Sequence, residues 1–197
     1  MLSLFCHCQN LYFGTCKNYA KAETNLNLNV NLNILLKIQR MKIWLVVSGK
    51  TVAPWLQQGL EDYLKRIKHY IPFELKVIPE LKNSRNLPVG VQKEKEGELM
   101  LTFLDGKSDV YLLDEKGEEL SSQELAGFLE KKMVAGCRDL FFVIGGPYGF
   151  SEKITGKSSS QLSLSKLTFS HQMVRLLFAE QLYRALSIVR GDPYHHE

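Results

Sequence analysis

From Met41 onward, apolar positions switch repeatedly between strand spacing and helix spacing. "KIWLVVS" (42–48) is a nearly continuous apolar run, as a strand buried on both faces requires. Residues 54–70, "PWLQQGLEDYLKRIKHY", place Trp55, Leu56, Leu60, Tyr63, Leu64 and Ile67 at helical spacing, with Pro54 where a first helical turn accepts it. "FELKVI" (73–78) alternates as a strand. A polar loop holding Pro79 and Pro88 leads into a charged amphipathic helix over 90–104. "DVYLL" (109–113) is a strand, and "SSQELAGFLEKKMVAG" (121–136) a helix opened by a serine cap and closed by Gly136. "LFFVIGG" (140–146) is a strand, "QLSLSKLTF" (161–169) a strand then a loop, and "HQMVRLLFAEQLYRALSIVR" (171–190) the longest helix. Strands separated by helices predict an α/β fold, a parallel sheet with helices on both faces.

Residues 1–40 break this pattern. They hold seven of the nine asparagines, and "NLNLNVNLNILL" (25–36) alternates asparagine with apolar residues at period two, formally a strand with no obvious partner. Low acidity hints at a targeting peptide, but serine and arginine are sparse and no small-residue cleavage site stands out. The expected organisation is a dispensable extension over 1–40, or upstream sequence from too early a start, followed by one domain over 41–197.

Charge and cysteine divide the same way. The net charge of +4 is mostly the extension's, with Lys17, Lys21, Lys37 and Arg40 against Glu23 alone. Residues 41–197 carry 21 basic and 20 acidic side chains, so only a local patch there could attract nucleic acid. Cys6, Cys8 and Cys16 lie in the extension, where "CHC" matches no common zinc spacing, so no metal is expected. The domain's single Cys137 excludes a disulfide framework and fits a cytoplasmic location. No apolar stretch has the roughly 18–20 residues of a membrane helix, so no membrane partner is expected.

Ligands of open parallel sheets bind beyond the carboxyl ends of the strands. That rule points to the loops after Leu113, after Ile144 and around 164–169. "GGPYG" (145–149) is neither a dinucleotide fingerprint nor a P-loop, because its glycines fall at positions 1, 2 and 5 and no Gly-Lys-Ser/Thr follows. By spacing alone a tight turn is favoured, although bare glycines also let a ligand lie against the backbone. "LSLSKLTFSHQMVR" (162–175) places Ser163, Ser165, Lys166 and Thr168 among apolar residues directly before a helix. Ser170 can cap that helix, and the helix N-terminus disfavours charge on His171, which is either a structural histidine or a functional one. Glu180 and Arg184 form an i, i+4 pair. Met173, Leu176, Leu177 and Leu182 belong to a core or a dimer interface, which spacing does not separate. Lys65, Arg66 and Lys68 read as a solvated face complementing a helix dipole.

Taken together, "KEKEGE" (93–98), "VIGGPYGFSE", "LSLSKLTFSHQMVR" and "AEQLYRALSIVRGDPYHHE" resemble the RlmH (YbeA) family of SPOUT-class methyltransferases, over residues 41–197. The resemblance implies an α/β domain with a C-terminal trefoil knot, S-adenosyl-L-methionine as cofactor, and a homodimer. It implies methylation of N3 of a pseudouridine in 23S rRNA within the assembled 70S ribosome. By position it carries cofactor contacts to Leu113, Gly145, Leu164, Ser165, Lys166, Leu167, Thr168 and Phe169. It places Glu180, Tyr194 and His195 near the chemistry, with His171, Arg175 and Arg184 binding substrate or the second subunit. Two positions depart from the family pattern. Ser170 stands where proline is frequent, and His196 where a basic residue often follows the tail's Tyr-His. The general base is not identifiable. Other readings are a SPOUT enzyme for another RNA such as tRNA, a non-catalytic ribosome-binding factor, and more distantly a flavodoxin-like nucleotide binder.

Overall fold

The structure is a computed structural model, and it describes residues 41–81 and 87–194. Five strands form one parallel sheet: β1 (Lys42–Ser48), β2 (Phe73–Ile78), β3 (Val110–Glu119), β4 (Asp139–Ile144) and β5 (Ser160–Ser163), in the order β2-β1-β4-β3-β5. Five helices connect or follow them: α1 (Pro54–Lys68), α2 (Val89–Leu104), α3 (Ser122–Val134), α4 (Glu152–Lys157) and α5 (Met173–Arg190).

Period-two alternation distributes each strand over two cores. Val46, Val110, Leu112, Phe141 and Val143 meet Met100 and Leu104 of α2 and Ile154 of α4. On the other face, Phe142 packs on Phe178 of α5 with ring centroids 4.7 Å apart, and Tyr111 on Phe128 of α3 at 4.9 Å. Helices α1 and α3 both pack against α5. Each face is therefore covered, which is why the central strands β1 and β4 read as apolar runs. Leu182, of undecided placement in the sequence, is fully buried, whereas Met173, Leu176 and Leu177 are half-buried.

Element boundaries follow local chemistry. Ser121 caps α3 with a reciprocal capping box: its Oγ accepts from the Glu124 N–H at 3.2 Å, and the Glu124 carboxylate accepts from the Ser121 N–H at 2.8 Å. Gly136 follows α3 with φ of 77°. Three features differ from the pattern-based expectation. β3 runs on to Glu119 instead of stopping at Leu113, because its pairing with β5 resumes after an irregularity: Leu162 is in register with both Leu113 and Glu118. The six-residue α4 was not expected, being too short for periodicity to register. Helix α5 starts at Met173 instead of residue 171, yet Ser170 still satisfies its start: Ser170 Oγ accepts from the Met173 N–H and its carbonyl from the Val174 N–H. Among the described residues, no helix is long and apolar enough to cross a membrane. The asparagine-rich stretch, the extension's cysteines, His195 and His196 lie outside the described residues.

Candidate active site

The carboxyl ends of β3, β4 and β5 open into one cleft of about 930 Å³. The three loops singled out by the strand-end rule converge on it. Leu113 and residues 114–116 form one side, the glycine turn 145–149 the floor, and residues 162–171 with Val174 the far wall.

The glycine turn is both closed and pinned. Gly149 N–H donates to the Gly146 carbonyl at 3.1 Å, with Gly149 at φ of 76°, where a side chain would be strained. At Gly146 a Cβ would collide with the carboxylate of Glu96, a buried residue of α2. Glu96 accepts from Gln92 Nε2 at 3.0 Å through one oxygen, and the other packs toward the turn. Pro147 and Tyr148 thus form the tip of a turn held from behind by α2 and at its far end by buried Phe150 and Ser151. Glu96 belongs to "KEKEGE" and Gln92 directly precedes it, and sequence reasoning did not assign them a role.

The far wall folds on its own hydroxyls. Ser163 Oγ donates to the Ser165 carbonyl at 2.9 Å, and Ser165 Oγ accepts from the Leu167 N–H at 3.0 Å. Thr168 Oγ1 donates to Glu115 across the cleft mouth at 3.0 Å. Leu113, Gly145, Leu164, Ser165, Leu167, Thr168 and Phe169 all line the cleft. Lys166 is the exception, with its side chain 88% exposed and its Nζ 3.9 Å from Glu119.

His171 also lines the cleft and is half-buried. Burial, and then the nearby Arg175 guanidinium, hold its pKa below 6.5, against an opposing pull from Glu80 and Glu96. The direction matches the expectation from sequence, while the main cause is burial and not the helix end. Next to it, Gln172 pins the loop after β1, donating to the Lys50 carbonyl at 3.1 Å and accepting from the Val52 N–H at 2.9 Å. No spacing in the sequence marks Gln172 for that task.

Arg175, expected to hold phosphate or a second subunit, is buried within the chain. Its guanidinium donates to the carbonyls of Ser48 at 2.5 Å and Gly49 at 3.0 Å, and to Thr51 Oγ1 at 3.0 Å. Those carbonyls end β1 beyond the reach of its ladder, and a planar multi-donor group satisfies them together. Arg175 is a structural anchor for the loop after β1.

Glu180, Arg184 and Tyr194 form a second cluster. Arg184 donates to one Glu180 oxygen through both Nε (3.1 Å) and an Nη (2.6 Å). The Tyr194 hydroxyl lies 3.5 Å from that oxygen, and Arg184 stacks over the Tyr194 ring with its Cζ 5.0 Å from the centroid. A hydrogen bond with Tyr63, then burial, pushes the Tyr194 phenol up to about 12. None of the three lines the cleft. Among the described residues of one chain, Glu180, Arg184 and Tyr194 are not brought together with the residues expected to hold the cofactor.

The cleft mixes apolar side chains with hydroxyls and charged groups, the glycine turn exposes backbone beside the Tyr148 ring, and Asp114, Glu115 and Glu152 outnumber Lys93 and Lys116 along it, so it offers a phosphate little net positive charge. Among the described residues, no group of three or more His, Cys, Asp or Glu side chains could hold a metal ion.

Comparisons with known proteins identify relatives of this chain. A family model described as "Predicted SPOUT methyltransferase" matches residues 41–195. Proteins named ribosomal RNA large subunit methyltransferase H are 53% identical in Parabacteroides distasonis and 52% identical in Flavobacterium johnsoniae, each over 80% of this chain and 100% of the relative. Among solved structures, a probable methyltransferase from Bordetella pertussis Tohama I aligns with a TM-score of 0.47 and 14% identity, over 78% of this chain and 98% of that one. With a family match spanning nearly all of residues 41–197 and relatives about half identical over their whole length, this chain belongs to the SPOUT methyltransferase family.

Proposed function

We propose that this chain methylates N3 of a pseudouridine in 23S rRNA of the assembled 70S ribosome, as a cytoplasmic homodimer using S-adenosyl-L-methionine. The observation that carries this reading is the cleft, whose floor and far wall are two of the segments that resemble the RlmH family. The relatives' shared name, at about half identity over their whole length, supports rRNA as the substrate class.

S-adenosyl-L-methionine would supply an already activated methyl group, so the protein's task is alignment and proton management. Leu113, Leu164, Leu167 and Phe169 would enclose the adenosine, with Gly145 admitting it close to the backbone. The backbone of Lys166 remains available for such a contact while its amine pairs with Glu119. His171, held neutral, stands at the same cleft as a polar contact for the substrate. The imide proton leaving N3 would pass to a base within the group Glu180, Tyr194 and His195, while the Arg184 guanidinium, which stays protonated, would stabilise the imidate anion. Because that cluster lies outside the cleft of its own chain, it would serve the cleft of the other subunit. The reading includes a C-terminal trefoil knot, as the family resemblance implies. Residues 1–40 are proposed to be dispensable, since the relatives match 157 residues of this chain over their full length.

The test incubates the protein with radiolabelled S-adenosyl-L-methionine and 70S ribosomes lacking the modification, beside free 50S subunits and bulk tRNA. Label in 23S rRNA of 70S particles alone is expected. Label in tRNA would replace the substrate, and a chain that binds no cofactor would end the methyltransferase reading.

A further inference from the structure

The cleft holds more than a cofactor requires. Sites for single drug-sized ligands run from about 300 to about 1,000 Å³, which puts 930 Å³ near the upper end. Besides the residues proposed to enclose the adenosine, its lining includes Tyr148, Lys93 of α2, and Glu152 and Thr155 of α4.

Tyr148 is the unusual member of this group. It lines the cleft, yet it remains 46% exposed, an apolar ring left largely in water. Among the described residues it stacks on no other ring. Nor is it exposed through looseness of its loop. The Gly146–Gly149 hydrogen bond closes the turn beneath it, the Glu96 carboxylate packs close against Gly146, and Phe150 is buried in the core under α2 and α4. The ring is therefore presented on a rigid tip, so little ordering entropy opposes stacking by a partner. Beside it, among the described residues, Lys93 pairs with no carboxylate, unlike Lys153 of the same face, which pairs with Glu94 and Glu98.

We infer that Tyr148 is a stacking platform for an unstacked base of the RNA substrate, with Lys93 contacting an adjacent phosphate, forming a substrate half of the cleft beside the cofactor half. Bases splayed from RNA loops are held by stacking on aromatic faces, and every base offers such a face. The inference rests on the rRNA reading above.

The test separates the two readings. Wild-type protein is first required to label 70S ribosomes, since failure there is failure of the functional reading. Ribosome binding is then measured by co-sedimentation, and S-adenosyl-L-methionine binding by calorimetry, for Tyr148→Ala, Tyr148→Leu, Tyr148→Phe and Lys93→Gln. Tyr148→Ala and Tyr148→Leu are expected to weaken ribosome binding roughly 10- to 100-fold, leaving cofactor affinity within about two-fold. Tyr148→Phe, which keeps the ring, restores most of the loss. Lys93→Gln is expected to reduce the salt dependence of ribosome binding by about one unit of log–log slope. Ribosome binding that Tyr148→Leu leaves intact would overturn the stacking role. A drop in cofactor affinity on loss of the ring would assign Tyr148 to the adenine instead. An unchanged salt slope would remove Lys93 from the phosphate.

Discussion

Arg175 shows how much one residue decides here. It bridges α5 to the end of β1 through Ser48, Gly49 and Thr51. Arg175→Met keeps length and apolar bulk but orphans two buried carbonyls. It is expected to lower stability by about 2–5 kcal/mol, read from urea unfolding. His171 supplies a pH prediction. Its pKa is lowered below 6.5 by burial and Arg175, so the unfolded chain binds the proton more readily than the folded one. Its contribution to stability is therefore intact above pH 6.5 and is lost as pH falls below that value through the folded pKa. Unfolding curves from pH 7.5 to pH 5 should show a decline that His171→Gln reduces, and the His171 ring should titrate below 6.5 by NMR. In the sequence both residues stood out as polar groups in an apolar stretch. Periodicity reports which face of a helix a side chain lies on, not whether that face meets water, RNA or a strand end.

At the scale of elements, β3 and β5 shape the cleft. Gly117 lies where β3 returns to β5, and a Cβ there would come within 2.6 Å of the Gln161 and Leu162 backbone. Backbone cannot rotate away as a side chain can. Gly117→Ala is expected to cost about 1–3 kcal/mol and to weaken cofactor binding by displacing the far wall, measurable by calorimetry. Helix α3 depends on its cap, so Ser121→Ala is expected to cost about 1 kcal/mol in thermal or chemical unfolding. That cap, and strands β1, β2 and β4, were legible because each is set by adjacent residues. The second half of β3 was not, since its "DEKGEE" stretch is polar and is held as a strand by pairing with a segment more than 40 residues away. Short α4 was invisible for a related reason: one and a half turns carry too few positions to display a period.

At the scale of the whole molecule, the separation of Glu180, Arg184 and Tyr194 from the cleft is the main consequence. If two chains complete each other's sites, a sample co-expressing Gly145→Trp subunits with Glu180→Gln subunits should regain methylation that each homodimer lacks. One intact site per mixed dimer would be left. Sedimentation of the active species at twice the 22.6 kDa chain mass would accompany it. Activity of the Glu180→Gln homodimer equal to wild type would remove that residue from the chemistry. Trimming the chain to residues 41–197 should leave cofactor affinity unchanged, because every described cleft residue lies within that span.

The sequence by itself determined the alternation of strands and helices, the parallel sheet and, through resemblance, the family. These follow from hydrophobic spacing, local capping and short motifs, all of which are written in neighbouring residues. Only the tertiary structure decided that Arg175 is an internal anchor, that Glu96 pins the glycine turn, that Lys166 turns away from the cleft, and that Tyr148 stands exposed on a rigid tip. Each of these depends on which distant backbone a side chain meets, and burial, hydrogen-bond partners and exposure exist only once the layers have packed.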